Sequence, residues 1–219
     1  MSRSVVLSVV SMVTLFSLSA AAQQQTVNRF DLFTGYSHLS APSVSLEQTG
    51  FNTSFGVNVK RWLALGADFS VFTGDGSIKV ADSKIAAEVA PLLPPGLTNP
   101  AIPFSANTYT FAAGPQINMR HFEKVTIFVR PGLGVIHEHA VLKGPLALGL
   151  APVVGLSTTQ TDTTYFYGAG GGVDLNASKH LGVRFSVDYV RTPLFSSLLS
   201  TRNAIRFSVG PTFKWGELK

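Results

Sequence analysis

Phe51-Asn52-Thr53-Ser54-Phe55-Gly56-Val57-Asn58-Val59-Lys60 changes character at every step. In an extended chain successive side chains point to opposite faces, so Phe51, Thr53, Phe55, Val57 and Val59 share one side. Asn52, Ser54, Gly56, Asn58 and Lys60 share the other. A helix would scatter both sets around its circumference. The segment is a strand between two unlike solvents.

The same alternation recurs in seven further segments, at 29–39, 63–73, 108–120, 125–138, 164–176, 181–191 and 205–215. Eight strands of about ten residues suit a small closed barrel. The connections alternate as well. Short ones lie at Arg61-Trp62, 121–124 and 177–180, and long ones at 40–50, 74–107, 139–163 and 192–203. This pattern predicts an all-β, eight-stranded antiparallel up-and-down barrel with both termini on the short-turn side.

Alternation alone leaves open which face points outward, since a water-soluble barrel has an apolar inside. Three features choose. All five tyrosines (Tyr36, Tyr109, Tyr165, Tyr167, Tyr189) fall at the long-loop ends of their strands, and both tryptophans (Trp62, Trp215) at the short-turn end, as two interfacial girdles would place them. More than half of the 20 glycines lie on the polar face, where a narrow interior has little room for side chains. The polar face also holds Asp31, Asp68, Glu138, Asp174 and Asp188 beside Lys60, Arg120, Arg130, Arg184, Arg206 and Lys214. The apolar face is free of charge until Arg191 at its rim. A cation facing lipid at mid-bilayer costs about 2–4 kcal/mol, which drives such charges into the lumen.

Composition agrees. Of 219 residues 45% are hydrophobic and only 13% charged, about half the usual ~25% for a water-soluble domain. The absence of cysteine excludes disulfides, thiolate nucleophiles, cysteine-bound zinc and a lipidated N-terminal cysteine. A formal charge of +5 without a basic run gives no footprint for nucleic acid. Residues 1–22 read as a secretory signal peptide: Arg3, an apolar run from Val5 to Leu18 too short to span a bilayer, then Ala20-Ala21-Ala22. The expected mature domain is 23–219, and no later stretch reaches the length of a membrane helix.

The last strand carries Ser208-Val209-Gly210-Pro211-Thr212-Phe213-Lys214-Trp215, in which Ser208, Gly210, Phe213 and Trp215 resemble the C-terminal insertion signal of bacterial outer-membrane barrels. Ala113-Gly114-Pro115, with Arg120 and Val125 to Gly134, resembles the middle hairpin of small OmpA-like barrel domains. The resemblance spans the mature chain. It departs where Gly216 to Lys219 follow the terminal aromatic, and no appended peptidoglycan-binding domain is expected. It implies residence in the bacterial outer membrane, outer-membrane lipids as neighbours, and recognition of the final strand by the barrel-assembly machinery.

Asp68, Arg130, Asp174, Arg184, Asp188 and Arg206 are expected to form a structural ion-pair network plugging the lumen, because an eight-stranded barrel is only wide enough for side chains. A narrow porin-like channel for ions or small solutes is the alternative. Pro115, Pro131 and Pro211 fall inside strands beside Gly114, Gly132 and Gly210, which predicts local bulges. The loops are apolar. Residues 82–93 place Ile85, Ala86, Val89, Ala90 and Leu93 at helical spacing before Pro94-Pro95-Gly96, and 139–163 is rich in leucine. Such loops would cap the barrel or hold a hydrophobic or surface ligand.

Catalytic patterns are thin. His38-Leu39-Ser40 resembles the H-x-S pair of outer-membrane lipid A deacylases, but at the wrong end of the chain. His137 and His139 make two ligands where a metal site needs more, and Gly168 to Gly172 lies within a strand rather than before a helix. The resulting expectation is a barrel with a structural or surface-interaction role, without catalytic residues, cofactor or metal. A lipid-modifying enzyme ranks last.

Overall fold

The computed structural model describes residues 27–218 except 94, 95, 97, 98, 123, 154–156 and 200. The expected signal peptide lies outside the described residues. The eight strands are β1 (Asn28–Ala41), β2 (Leu46–Asn58), β3 (Leu63–Lys79), β4 (Ala101–Met119), β5 (Val125–Leu142), β6 (Thr159–Asn176), β7 (Leu181–Thr192) and β8 (Arg202–Glu217). Each pairs antiparallel with its sequence neighbours, and β8 closes on β1 with Trp215 opposite Phe30. Among the described residues every strand has a partner on both sides, as hydrocarbon requires.

The short turns are fixed locally. Val59 and Lys60 donate their N–H groups to the Leu63 carbonyl at 2.9 and 3.0 Å. The Ser178 hydroxyl accepts from the N–H groups of His180 and Leu181 at 3.2 and 3.1 Å, a serine turn that reverses the chain between β6 and β7.

The wall is apolar outside and polar inside. Leu133 is 65% exposed and Phe111 56%, while Asp31, Arg184 and Arg206 are buried. This inverts the order of a protein dissolved in water. Outward side chains on β4 run from Met119 to Tyr109, ten residue steps. At about 3.3 Å per residue and about 40° of tilt they span about 25 Å, the height of an outer-membrane hydrocarbon band. The tyrosines and tryptophans mark its two edges.

Four expectations are corrected, the last of them at the prolines. The strands outrun their apolar alternation: β3, β4, β5 and β6 continue above the tyrosine girdle for several further residues. There both faces of the wall leave hydrocarbon, so alternation no longer marks them. The long loop expected at 40–50 is a tight hairpin, because β1 and β2 extend toward each other and leave only the 3-10 turn Pro42–Val44 and Ser45 at φ 43°. The helical spacing at 82–93 yields one turn, Ala86–Val89, between two 3-10 turns, since Pro91 has no N–H to continue an α-helix. Its expected stop at Pro94-Pro95 lies outside the described residues. The 139–163 loop instead holds the helix Pro145–Val153.

The prolines make no bulges. The β4–β5 register is the same on both sides of the prolines, with Ala113 opposite Leu133 and Ile117 opposite Val129. Between these pairs the ladder is interrupted, and there Pro115 and Pro131 come opposite each other. Pro211 likewise falls in a gap of the β1–β8 ladder, between the pairs Phe33–Thr212 and Tyr36–Val209, while its pairing to Val183 on β7 is intact. A missing N–H is accommodated by loosening one seam without inserting a residue. Pro115 and Pro131 concentrate two missing donors on the same seam.

Candidate functional site

The inward faces of the strands carry charged side chains in tiers along the barrel. Arg184 and Asp188 share the inward face of β7 four residues apart, about 13 Å along the strand, and so enter different tiers.

In the tier nearest the short turns, Arg184 donates from Nε and Nη2 to the two oxygens of Asp174 at 2.6 and 3.0 Å, and from Nη2 to Asp31 at 3.3 Å. Lys214 adds bonds to Asp174 at 3.1 Å and to Asn176 at 2.6 Å. The Arg184 guanidinium also lies 4.6 Å from the centroid of the Phe128 ring and 5.7 Å from that of Phe33. At the short-turn mouth Arg120 donates to Asn58 at 2.8 Å and to the Arg61 carbonyl.

In the middle tier Arg206 reaches across the lumen. Nε and Nη2 bond Asp188 at 3.1 and 2.9 Å, and Nη1 bonds Asp68 and Ser70, both at 2.7 Å. Arg130 grips Asp188 with two parallel bonds at 3.0 and 2.9 Å and lies 3.7 Å from Asp68. Asn52 supports Asp68 at 2.6 Å. In the upper tier Arg202 binds both oxygens of Glu138 at 3.0 and 2.7 Å, and the Thr108 hydroxyl donates at 2.9 Å.

These ion pairs are nearly balanced tier by tier: Arg184 and Lys214 against Asp31 and Asp174, Arg130 and Arg206 against Asp68 and Asp188, and Arg202 against Glu138. Burying ions is costly, and each is offset by opposite charge and by hydrogen bonds from neighbouring strands. A one-residue slip of register would turn Arg184 and Asp188 toward lipid, so the network strongly favours one register. The bidentate geometry needs arginine, whose planar fork matches a carboxylate.

The glycines provide seats for these side chains. A Cβ on Gly56 would fall 2.7 Å from the Asp31 carboxylate, one on Gly172 2.8 Å from the Phe128 ring, and one on Gly134 2.6 Å from Phe166. A Cβ on Gly170 would overlap Asp188. Between the lower and middle tiers lies a cavity of about 50 Å³ bordered by Asp31, Arg184, Asp68 and Arg130 and walled by Gly66, Gly114 and Gly132. That volume has room for a few waters.

The interior is not polar throughout. Above the middle tier Leu39, Phe72, Phe104, Ile136, Phe166 and Val190 form an apolar core, onto which Leu194, Phe195 and Leu199 of the β7–β8 loop descend. The loop is pinned by the Phe195 N–H donating to Asp162 at 2.5 Å, by the Lys84 N–H donating to the Leu198 carbonyl at 2.8 Å, and by Lys84 Nζ on the Ser196 carbonyl. At the rim Asp75 receives Lys143 at 2.8 Å and the Ser105 hydroxyl at 2.5 Å, which hold its carboxyl below the usual carboxylate range.

The structure distributes the six expected network residues over two tiers rather than one: Asp174 and Arg184 below, Asp68, Arg130, Asp188 and Arg206 above. Sequence reasoning missed Asp31, Lys214 and the Glu138–Arg202 pair as partners, and also the aromatic seats of Phe33 and Phe128. All share the inward parity of their strands, which is the signal that could have found them.

The thinner patterns resolve differently. Ser40 donates to Glu47 at 2.6 Å and His38 lies 2.9 Å from the other Glu47 oxygen, so the serine hydroxyl is directed to a carboxylate and not to the imidazole a nucleophile needs. His137 and His139 bond Thr163 and Thr161 at 2.7 and 2.9 Å. Among the described residues no third ligand joins them. On β8 Phe213 and Trp215 face outward, while Ser208 faces inward and bonds Ser37 at 2.8 Å. Gly210 faces inward on the same strand and pairs with Arg184 across the β7–β8 ladder. Trp215 stacks on Phe30 at 5.9 Å where the barrel closes.

A family model described as the outer membrane protein β-barrel domain matches residues 8–213. No curated protein matches the sequence. Among solved structures, the Neisserial surface protein A is 14% identical with a TM-score of 0.57, over 85% of this chain and 97% of its own. OprG from Pseudomonas aeruginosa is 12% identical with a TM-score of 0.57, over 90% of this chain and 100% of its own. Identities this low establish likeness of fold alone.

Proposed function

The chain belongs to the family of outer-membrane protein β-barrel domains and resides in the bacterial outer membrane, and from that premise we propose that it works as a sealed barrel whose role is structural or lies in surface interaction, without catalysis. One observation carries this reading. From the periplasmic mouth to the loops, the axis is crossed by the Arg184 tier, the Arg206 tier, the Glu138–Arg202 pair and an apolar core. A hydrated ion would have to break buried bidentate pairs and then cross a dry layer lined by phenylalanine. Both steps are costly.

With transport set aside, the extracellular loops become the working surface. The helix Pro145–Val153 leaves Leu148 49% exposed, an apolar side chain suited to a hydrophobic or cell-surface ligand. The barrel-assembly machinery would read β8 through Ser208, Gly210, Phe213 and Trp215. Proteoliposomes loaded with a chloride-sensitive dye test the sealed lumen. The expected leak equals that of empty vesicles, and a leak rising with the amount of folded protein would replace this reading with a narrow channel.

A further inference from the structure

The barrel is polarised from end to end. The short-turn end carries Arg29, Lys60, Arg61, Lys124 and Lys179, all exposed, against two carboxylates in the same segments, Glu217 and Glu123, the latter outside the described residues. The loop end carries Glu47, Asp75, Asp82, Glu88 and Asp162 against Lys79, Lys84, Lys143 and Arg191. Up-and-down topology gathers all three short turns and both strand termini into one ring, so the five cations share one rim of net positive charge.

Four of these five cations are not spent on carboxylates of the described residues. Among the described residues Arg29, Lys60, Lys124 and Lys179 form no ion pair with a carboxylate. Two of them are held at a defined depth. The Lys60 ammonium lies 5.8 Å from the Trp62 ring centroid, and the Arg29 guanidinium 5.7 Å from that of Phe30, which stacks on Trp215. Trp62 and Trp215 are the only tryptophans of the chain and mark its short-turn interface. Cations resting on girdle aromatics sit at the level of lipid phosphates.

We propose that this rim is a docking surface for anionic phospholipid headgroups of the periplasmic leaflet, so that the barrel gathers phospholipids of net negative charge around its short-turn end. The depth of Lys60 and Arg29 favours a lipid surface over a polymer in the periplasm, because a polymer would meet cations projecting past the interface. Spacing around the ring lets several headgroups bind at once, and the attraction weakens with salt.

The two tryptophans provide the readout, since both report on this end alone. The full barrel is refolded into phosphatidylcholine bilayers doped with brominated phosphatidylglycerol or brominated phosphatidylcholine, and tryptophan quenching is compared at equal mole fraction. The expected result is an apparent affinity about threefold higher for phosphatidylglycerol at low ionic strength. The preference should vanish in about 0.5 M salt, where the Debye length is about 4 Å. It should also vanish in a Lys60→Gln, Lys124→Gln, Lys179→Gln variant shown to fold by heat-dependent gel mobility. A loop-end control, Lys79→Gln with Lys84→Gln, should keep it. Equal quenching by the two lipids at low salt, or undiminished preference in the rim variant, would overturn the proposal. Equal quenching together with salt-sensitive retention on purified peptidoglycan would also overturn it, by assigning the rim to a polymer.

Discussion

Replacing Arg184 by methionine should cost the folded barrel about 4 kcal/mol, within the ~3–5 kcal/mol expected when one partner of a buried ion pair is removed. Methionine approximates the length of the arginine stem and packs well between rings, so the loss falls on the charges. Asp174 would keep Lys214 at 3.1 Å, but among the described residues Asp31 would keep one hydrogen bond, from the Asn58 amide at 3.4 Å, with Arg120 acting on it through space. The middle of the range applies because one buried carboxylate loses its bonded arginine while a cavity with room for water lies beside it. Adding Asp31→Asn removes the stranded charge and should return about 1–2 kcal/mol, since a neutral amide is less costly to bury. Equilibrium urea unfolding in short-chain phosphatidylcholine vesicles, followed by tryptophan emission and heat-dependent gel mobility, measures both. With a slope of about 1–3 kcal/mol per molar, the single variant should shift its midpoint down by more than about 1 M. A loss below about 1 kcal/mol, or a double variant less stable than the single one, would refute the claim that this tier is a coupled charge network.

Other expectations follow from the same geometry. Gly170→Ala should destabilise the barrel, because the new methyl overlaps the Asp188 carboxylate, whereas Gly132→Ala meets nothing within 4 Å and should be neutral or stabilising by about 0.5 kcal/mol; urea midpoints distinguish the two. Hydrogen–deuterium exchange should be fastest, among membrane-embedded segments, at 113–117 and 129–133, where Pro115 and Pro131 interrupt the β4–β5 ladder; protection there equal to that of the β2–β3 pair would contradict the weak seam. Asp162→Ala removes the acceptor of the Phe195 N–H and should speed protease cleavage within 193–201 without moving the urea midpoint appreciably.

Much of the fold is legible in the sequence because period-two alternation is a direct image of a wall with two solvents. Phe51 to Lys60 gives the strand, and the tyrosines and tryptophans orient it. The strand tips are not legible. Ile78 pairs with Ile102 and Lys79 with Ala101 well above the girdle, where no second solvent imprints an alternation. The site is legible by face but not by height. Parity turns Asp68 and Arg206 inward, yet their contact joins β3 to β8 across the lumen and depends on how the strands are staggered around the ring. Arg202 escapes notice because β8 begins earlier than its apolar pattern suggests. Phe33 and Phe128 escape because sorting a strand by polarity removes apolar residues from the polar face, although an arginine between two rings is a stable way to bury a cation.

Conductance recording across planar bilayers, with protein whose folded state is confirmed by heat-dependent mobility, tests the sealed lumen most directly. The proposed sealed lumen predicts silence at all voltages that the bilayer tolerates. Discrete, reproducible current steps from the unmodified barrel would mean that the ion pairs line an open path, and would contradict the account.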